Sequence, residues 1–239
     1  MKLYILLLLI FTLLFYIKIK FNNKIENYKN KKFFHELESN PHLDRNYAKS
    51  NIKLSNKEII KELIILFNNL VTLCNKNNIK VILMHGTLIG WYFNRKILPW
   101  DDDIDVVILE NDLKKFKILN NYETKNFIIK INPNSIDRNP KDRENVIDAR
   151  IISKINGVFI DITFLTKSPN KKGFVNCKSP HYYKIKNILP LKKTNFEKIN
   201  NIYVPNNYKK CLSQEYGNKV FLNNYKNFIF KNNIWIKNI

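Results

Sequence analysis

The stretch of sequence that decides the fold is residues 100–109, Trp-Asp-Asp-Asp-Ile-Asp-Val-Val-Ile-Leu. Its apolar second half, rich in β-branched residues, predicts a buried strand. Because side chains alternate between the faces of a strand, Asp101, Asp103 and Asp105 are expected on one face. Three carboxylates within about 7 Å of one another repel strongly unless a cation neutralises them, and oxygen ligands suit Mg²⁺ or Mn²⁺. The pattern therefore predicts a metal site, and the alternative, an acidic surface turn, fits poorly beside the apolar run.

A second acidic signal lies within residues 157–163, Gly-Val-Phe-Ile-Asp-Ile-Thr. A single carboxylate, that of Asp161, interrupts an apolar run that predicts a buried strand. Burial of a lone carboxylate costs several kcal/mol unless the group is paired or bound to a metal. We therefore expect this strand to lie beside the one that carries Asp103 and Asp105, with Asp161 as a third metal ligand. The alternative is that Asp161 pairs with Arg150 in a structural salt bridge.

A candidate phosphate-binding turn follows from residues 85–90, His-Gly-Thr-Leu-Ile-Gly. A strand that ends in Gly-Thr and opens a helix presents backbone N–H groups and the Thr87 hydroxyl to a phosphate. The signal is weak alone, because Gly-Thr pairs are common in turns. Its position, with Gly86 15 residues before Asp101, matches the order of Gly-Ser/Thr and then Asp-x-Asp in polymerase-β-type nucleotidyltransferases.

The remaining pattern indicates strands mixed with helices. Ser55 is a candidate N-cap with Glu58 at the capping-box spacing, and the apolar period that follows predicts a helix over residues 56–77. A short helix is expected at residues 86–93, and only loops and short helices between residue 165 and the helix stop at Tyr216-Gly217. Four short apolar segments predict strands, at residues 80–84, 104–109, 146–152 and 158–164. This mixture predicts an α/β or α+β fold built on one sheet.

The chain begins with an apolar segment, residues 3–17, which is interrupted only by Thr12 and flanked by lysines. A spanning helix needs roughly 17–25 apolar residues, so the segment is short but usable if the flanking lysines snorkel. We predict an uncleaved membrane anchor over residues 1–20; the alternative is a cleaved signal peptide, for which no small-x-small cleavage site follows. The polar residues 21–54 are interpreted as a stem or linker, and residues 55–239 as the main domain.

The net charge of +21 does not point to nucleic acid, because Lys, Asn and Ile are spread along the whole chain rather than gathered in a stripe or arm. An AT-rich coding bias explains that spread, and excess lysine favours phosphate-bearing substrates. Cys74, Cys177 and Cys211 lie far apart without Cys-x-x-Cys spacing, so neither a structural zinc site of that type nor a disulfide framework is indicated.

Residues 85–94 and 98–106 together resemble the LicD/fukutin family, most closely its fungal branch, which is associated with mannosylphosphate transfer to glycans. Further blocks in the same order extend the resemblance from about residue 80 to residue 217, at 145–150, 157–163, 179–183, 189–191, 194–197, 204–205 and 215–217. Several spaced blocks are far more specific than a single motif.

The resemblance implies a polymerase-β-like nucleotidyltransferase fold over residues 55–239, with a mixed sheet flanked by helices. It also implies a LicD/fukutin-type phosphotransferase that uses Mg²⁺ or Mn²⁺. Such an enzyme transfers a phosphorylated unit, such as a sugar-1-phosphate or phosphocholine, from a nucleotide-linked donor of the GDP-mannose or CDP-alcohol type to a glycan acceptor. Lysines after the apolar segment favour a cytosolic body, but eukaryotic members built this way usually face the secretory lumen. A single-pass membrane protein on the ER or Golgi lumen side is therefore expected.

Carried over residue by residue, the resemblance makes Asp103 and Asp105 metal ligands, Asp161 the third carboxylate, and Asp101 a ligand or a support. The residues expected to contact nucleotide or phosphate are Gly86, Thr87, Gly90, Arg150 and His181. For Arg150 the salt bridge with Asp161 stays open as an alternative, and His181 is equally compatible with a hydrogen-bonded loop histidine.

Two other functions are compatible with the sequence. The first is a glycosyltransferase that holds a nucleotide sugar through Asp-x-Asp and transfers sugar without phosphate. The second is a membrane-anchored basic module that binds glycans without catalysis. The nucleotide product separates the two enzymes, because a phosphotransferase releases a monophosphate and a glycosyltransferase a diphosphate.

Overall fold

A computed structural model describes residues 9–20, 32–38, 40–49, 52–139, 142, 144–178 and 181–238. The first eight residues of the predicted anchor and residues 21–31 of the predicted stem lie outside the described residues. Residues 179 and 180, part of one block of the family resemblance, lie outside them as well.

The strands of the described chain range from two to nine residues. They are β1 (Glu36–Leu37), β2 (Asn40–Asp44), β3 (Ile82–Leu83), β4 (Asp105–Leu109), β5 (Phe127–Ile131), β6 (Ala149–Ser153), β7 (Phe159–Lys167), β8 (Phe174–Asn176), β9 (Tyr182–Lys184), β10 (Lys192–Phe196), β11 (Ile199–Val204), β12 (Asn224–Tyr225), β13 (Phe228–Lys231) and β14 (Ile234–Lys237). The helices are α1 (residues 9–20), α2 (Asn56–Lys76), α3 (His85–Asn94), α4 (Glu110–Lys117), α5 (Ile185–Ile188) and α6 (Tyr208–Tyr216), with 3₁₀ turns at Pro133–Ile136 and Asn218–Phe221.

The core is a nine-stranded mixed sheet in which the main path runs β10-β11-β3-β4-β7-β6-β5, and β8 and β9 extend it from β7. The pairs β4–β7 and β3–β11 are parallel, whereas the other neighbours along the path are antiparallel. β4 therefore lies in the middle of the path. The predicted combination of a mixed sheet with flanking helices is confirmed.

Helix α2 covers the middle of the sheet, where it packs against β6, β7 and β11. It begins at the predicted N-cap: Ser55 Oγ accepts the Glu58 N–H, and the Ser55 N–H donates to Glu58 Oε2 at 2.8 Å. The buried face, from Ile59 to Cys74, follows the 3.6-residue period that predicted the helix.

Part of the predicted stem is folded onto the main domain. β1 and β2 form a small antiparallel sheet, and both Phe34, which precedes β1, and Leu43, which lies in β2, are buried. The Asp44 N–H donates to the Gly157 carbonyl at 2.8 Å, and a Cβ at Gly157 would lie 2.7 Å from that of Ala48. Gly157 therefore allows this segment to approach the sheet closely.

The expectation of only loops and short helices between residue 165 and Tyr216-Gly217 is wrong. Four strands, β8 to β11, lie wholly within that part of the described chain, and β12 to β14 follow it in a region for which no element was predicted. They are two to six residues long, which is too short for a recognisable alternation of apolar and polar residues. Most gain their stability from pairing with other strands. Two strand assignments also needed correction: β5 was not predicted, and β6 begins three residues later than expected.

Helix α1 occupies the second half of the predicted anchor, and its large apolar side chains are exposed. Within the part of the chain that the structure describes, no helix is both long enough and apolar enough to cross a membrane. The anchor stays a prediction, since residues 1–8 are not among those described.

Candidate functional site

The site is built where the two central parallel strands begin. β4 and β7 pair in register, so that Asp105 lies directly opposite Asp161. Neighbouring strands are about 4.8 Å apart, so the charge of each carboxyl group affects the ionisation of the other. The predicted adjacency of the two acidic strands is confirmed.

A cavity of about 430 Å³ opens at the start of β4. Asp101, Asp103 and Asp105 all line it, although only Asp105 lies within β4, and Gly86 lines it as well. The rest of the lining is mainly aromatic or apolar and includes Phe93, Trp100, Tyr216, Tyr225 and Trp235, together with Lys219. The predicted site residues Thr87, Gly90, Arg150, Asp161 and His181 do not line this cavity.

The aspartates of the cavity hold their protons unusually tightly. Burial, followed by repulsion from Asp103, raises the pKa of Asp101 to about 7. Burial also raises the pKa of Asp105 to about 8, against the opposing effect of His85 and with the help of Asp103 and Asp161. The pKa of Asp103 is raised by burial and by Asp161. Each carboxyl group makes ionisation of the others more difficult.

The cations near these aspartates, among them His85 for Asp105 and Lys226 for Asp101, act on them only through their charge. Among the described residues, no Lys, Arg or His forms a salt bridge with Asp101, Asp103 or Asp105. Three of their oxygens do not converge to within 4.8 Å of one another, the spacing that a shared ion needs. Their carboxylate oxygens are chemically suited to a divalent ion, but the side chains must rotate before all three can bind the same ion.

Arg150 forms the salt bridge that was held open as the alternative. Its Nε donates to Asp161 Oδ1 at 2.6 Å, and its Nη2 to Glu36 Oε1 at 2.6 Å. The guanidinium lies between Phe159, at 3.6 Å from the ring centroid, and Phe34, at 4.6 Å. Arg150 is only 2% exposed, so it is fixed in a structural cluster away from the cavity. Metal ligation by Asp161 stays a prediction.

The Gly-Thr turn is hydrogen-bonded to the backbone of the acidic strand β4. The Asp105 N–H donates to Thr87 Oγ1 at 2.8 Å, which ties the first turn of α3 to the start of β4. A Cβ at Gly86 would lie 3.4 Å from Asp101 Oδ2, and one at Gly90 would lie 2.3 Å from the Lys96 carbonyl oxygen. Of the three predicted phosphate contacts in this turn, only Gly86 faces the cavity, whereas Gly90 is required for packing.

A second polar cluster adjoins the first. His85 Nδ1 lies 2.8 Å from Glu215 Oε2, and the Tyr183 hydroxyl donates to the other oxygen of Glu215. The His181 ring lies 5.1 Å from that of His85. Burial disfavours a charged His85, but hydrogen bonds with Cys177 and Glu215 outweigh it and raise the pKa of His85 well above its usual value. Burial, and then His85, lower the pKa of His181.

No role was predicted for Glu215 or Tyr183, although both belong to blocks of the family resemblance. Glu215 lies 130 residues from His85, and no local pattern predicts a contact over that separation. The available signal was a lone acidic residue near the end of an amphipathic segment, followed by the helix stop Tyr216-Gly217.

The aromatic side of the cavity comes from strands that were not predicted. The Trp100 ring lies 5.1 Å from that of Tyr225 and 4.9 Å from that of Trp235, and Phe93 lies 4.7 Å from Trp235. Among the described residues, the indole N–H of Trp235 is buried without a hydrogen-bond partner. The C-terminal strands β12–β14 thus place rings and an unpaired donor at a cavity whose other wall is acidic.

Comparison with known proteins gives two matches. The model of the LicD/FKTN/FKRP nucleotidyltransferase domain matches residues 78–207, more than half of the chain. Mannosyltransferase regulator 4 of Saccharomyces cerevisiae is 31% identical over 109 residues, which cover 40% of this chain and 9% of the yeast protein. The family match includes β3, β4, β6, β7 and all the predicted site residues, but not Glu215 or the aromatic strands.

Proposed function

The chain belongs to the LicD/FKTN/FKRP family of nucleotidyltransferase domains, and from that premise we propose that it is a metal-dependent phosphotransferase. It moves a phosphorylated sugar or alcohol unit from a nucleotide-linked donor to a glycan acceptor. The observation that carries the proposal is the wall of three aspartates, which form no salt bridge among the described residues, in a cavity of about 430 Å³. That volume lies within the range of roughly 300–1,000 Å³ that is typical of small-molecule sites.

The acidic wall fits a divalent ion by its chemistry. Asp101, Asp103 and Asp105 offer only oxygen ligands, which suit Mg²⁺ or Mn²⁺ rather than softer ions. Their raised pKa values record burial and repulsion that a cation would relieve. When bound, the ion would neutralise charge on the pyrophosphate of the donor and on the leaving group. Asp161 is the additional ligand proposed from β7.

The aromatic wall supports a nucleotide as the donor. The face of a base stacks on aromatic side chains with about 1–3 kcal/mol per base, and Trp100, Tyr225 and Trp235 supply such rings beside the aspartates. Lys219 lines the same cavity, and Lys226 is close enough to lower the pKa of Asp101. A nucleotide whose base stacks on the rings, and whose phosphates lie between the lysines and the acidic wall, would contact all of these groups.

In the proposed reaction, a hydroxyl of the acceptor attacks the phosphorus that bears the transferred unit. The bond between the acceptor oxygen and phosphorus forms as the bond to the nucleoside monophosphate breaks, in line with the attack. The proton of the hydroxyl passes to a carboxylate of the site. The acidic residues of this chain would hold the divalent ion and accept the proton. Thr87 fixes the start of β4, where Asp105 lies.

Two other functions remain as outcomes of the test. The Asp-x-Asp pattern also suits a glycosyltransferase, and the name of the yeast relative favours a regulator of a mannosyltransferase. That relative is aligned over only 9% of its length, so its role as a whole protein is a hypothesis for this chain.

The deciding experiment incubates the purified protein with a panel of nucleotide sugars and CDP-alcohols, a mixed glycan acceptor and Mg²⁺ or Mn²⁺. Chromatography then identifies the released nucleotide. The expected result is a nucleoside monophosphate, formed only with the divalent ion and not by Asp105→Asn. Release of a diphosphate would instead identify a glycosyltransferase. Absence of release with every donor, together with altered activity of a mannosyltransferase in a coupled assay, would support the regulator.

A further inference from the structure

Three side chains from distant parts of the chain meet at one point beside the cavity. His85 opens α3, His181 precedes β9 and Glu215 lies in the last turn of α6. One possible ligand atom from each lies within 4.8 Å of the other two, and no other group of three His, Cys, Asp or Glu among the described residues meets this condition. The aspartates that line the cavity are thus not the group whose atoms are best placed to share an ion.

Glu215 and His85 are held in place by their surroundings. The side chain of Glu215 is 3% exposed and that of His85 is 15% exposed. One oxygen of Glu215 accepts the Tyr183 hydroxyl, and the other lies 2.8 Å from His85 Nδ1. A hydrogen bond of this type to the far oxygen of a carboxylate orients it as a metal ligand and supports its charge.

The backbone of His85 adds an independent observation. Its φ is +52°, in the left-handed region that costs a non-glycine residue about 1–2 kcal/mol. Strained backbone of this kind persists where the surroundings enforce it, and it is concentrated at functional sites. Here it lies at the junction of β3 and α3, immediately before Gly86, and it accompanies the contact of His85 with Glu215.

We propose that His85, His181 and Glu215 bind a transition-metal ion of the Zn²⁺ type, at a site separate from the aspartates. Two imidazoles and one carboxylate form a ligand set that suits Zn²⁺, whereas the oxygen-only aspartates suit Mg²⁺ or Mn²⁺. Three protein ligands leave a fourth position for water or a ligand oxygen. The chain neighbours of two of these ligands, Gly86 and Tyr216, line the cavity, so the ion would lie next to the bound substrate.

The test measures metal binding by the full-length protein, independently of activity. The protein is stripped with a chelator, placed in excess Mg²⁺ to occupy the aspartates, and titrated with Zn²⁺ by calorimetry and with Co²⁺ by visible absorption. One equivalent of Zn²⁺ and the intense visible bands of tetrahedral Co²⁺ are expected. Weak octahedral Co²⁺ bands alone, or the absence of stoichiometric Zn²⁺ binding, would overturn the proposal and leave His85 and Glu215 as a plain ion pair.

Variants locate the ion. His181→Ala removes a half-buried ligand and should weaken Zn²⁺ binding by more than the 10–100-fold that is typical of the loss of an outer partner. Tyr183→Phe, which removes only the bond to Glu215, should lie within about 10–100-fold. Asp103→Asn, which alters the other site, and His35→Ala, at an exposed histidine, should bind Zn²⁺ as the wild type does. Equal binding by His181→Ala and wild type, with circular dichroism unchanged, would refute the site.

Discussion

Asp105 and Asp148 both lie at the start of strands in the same sheet, and burial raises the pKa of both, yet their partners differ. Asp148 is fully buried, accepts Arg138 Nη1 at 2.7 Å and the Phe164 N–H at 2.6 Å, and has a pKa of about 6. Asp105 has no salt bridge among the described residues, and its pKa is about 8. Of the two, only Asp148 forms a salt bridge among the described residues, whereas His85 merely opposes the rise in the pKa of Asp105.

The difference separates stability from function. Two buried carboxylates outside the cavity have a cation from the chain, since Arg138 pairs with Asp148 and Lys178 with Asp142. Among the described residues, the carboxylates that line the cavity form no salt bridge, and the folded state retains repulsion between them. Asp161 stands between the two groups, because it pairs with Arg150 and lies opposite Asp105 but does not line the cavity. Four predictions test this division.

The largest effect is expected from Asp105→Asn or Asp103→Asn. Loss of a metal ligand should lower turnover by more than about 10³-fold, or about 4 kcal/mol of transition-state stabilisation. Melting in EDTA should be unchanged or higher, because the amide cannot ionise and replaces a carboxyl group whose ionisation burial and repulsion already oppose. Nucleotide release and thermal melts measure both. Asp102→Asn is the matched control, since Asp102 does not line the cavity. Near-normal turnover by Asp105→Asn would contradict the division between metal-binding and structural carboxylates.

Asp148→Asn should have the opposite profile. It leaves Arg138 without its carboxylate and should lower the free energy of unfolding by about 3 kcal/mol, at the lower end of values for buried pairs because Arg138 also donates to the Phe164 carbonyl. The melting temperature should fall by roughly 6–12 °C, equally in EDTA and in Mn²⁺. A loss of stability that Mn²⁺ repairs would place Asp148 with the metal-binding carboxylates instead.

Asp161→Asn tests the residue that the two groups share. Because Arg150 keeps its bond to Glu36, the free energy of unfolding in EDTA should fall by only about 1–3 kcal/mol. If Asp161 also binds metal, the rise in melting temperature that Mn²⁺ produces in the wild type should disappear. Melts with and without Mn²⁺ measure the two effects separately. A full Mn²⁺ response in this variant would leave Asp161 with the salt bridge alone.

The smallest effect concerns pH. The pKa values of Asp101 and Asp105 are raised to about 7 and about 8, so between about pH 4 and pH 8 the folded state binds more protons than the unfolded state. Stability of the metal-free protein should therefore fall as pH rises through that window. Mg²⁺ must displace those protons, so its affinity should increase by about tenfold per pH unit for each proton displaced. Calorimetric titration near pH 6, 7 and 8 measures this, and a flat profile would contradict it.

The sequence predicted those parts of the molecule in which a local pattern is strong. The apolar strands that carry Asp105 and Asp161, and the capping box of α2, follow from alternation, helical period and residue type. The choice between metal ligand and salt bridge for Asp161 did not follow. It depends on the antiparallel register that sets Arg150 opposite Asp161, and register is fixed by packing across the sheet.

Contacts over long separations were the other part that could not be predicted. Glu36 reaches Arg150 from the region interpreted as a stem, and Glu215 reaches His85 from α6. The strands that bring Tyr225 and Trp235 to the cavity are only two and four residues long. Their positions depend on the tertiary packing of short, polar segments that carry no period of their own.

The parallel pairing of β3 with β11, through Ile82 and Tyr203, has a consequence for the order of assembly. During synthesis, β3 and β4 leave the ribosome well before β11, so one side of β3 remains an unpaired strand edge in the nascent chain. Such edges are where nascent chains associate wrongly, and chaperones protect them. The same interval leaves His85 without Glu215. A chain released before residue 199 would therefore retain its three aspartates but expose the unpaired edge of β3. Cellular quality control, rather than the loss of a catalytic residue, would determine its fate.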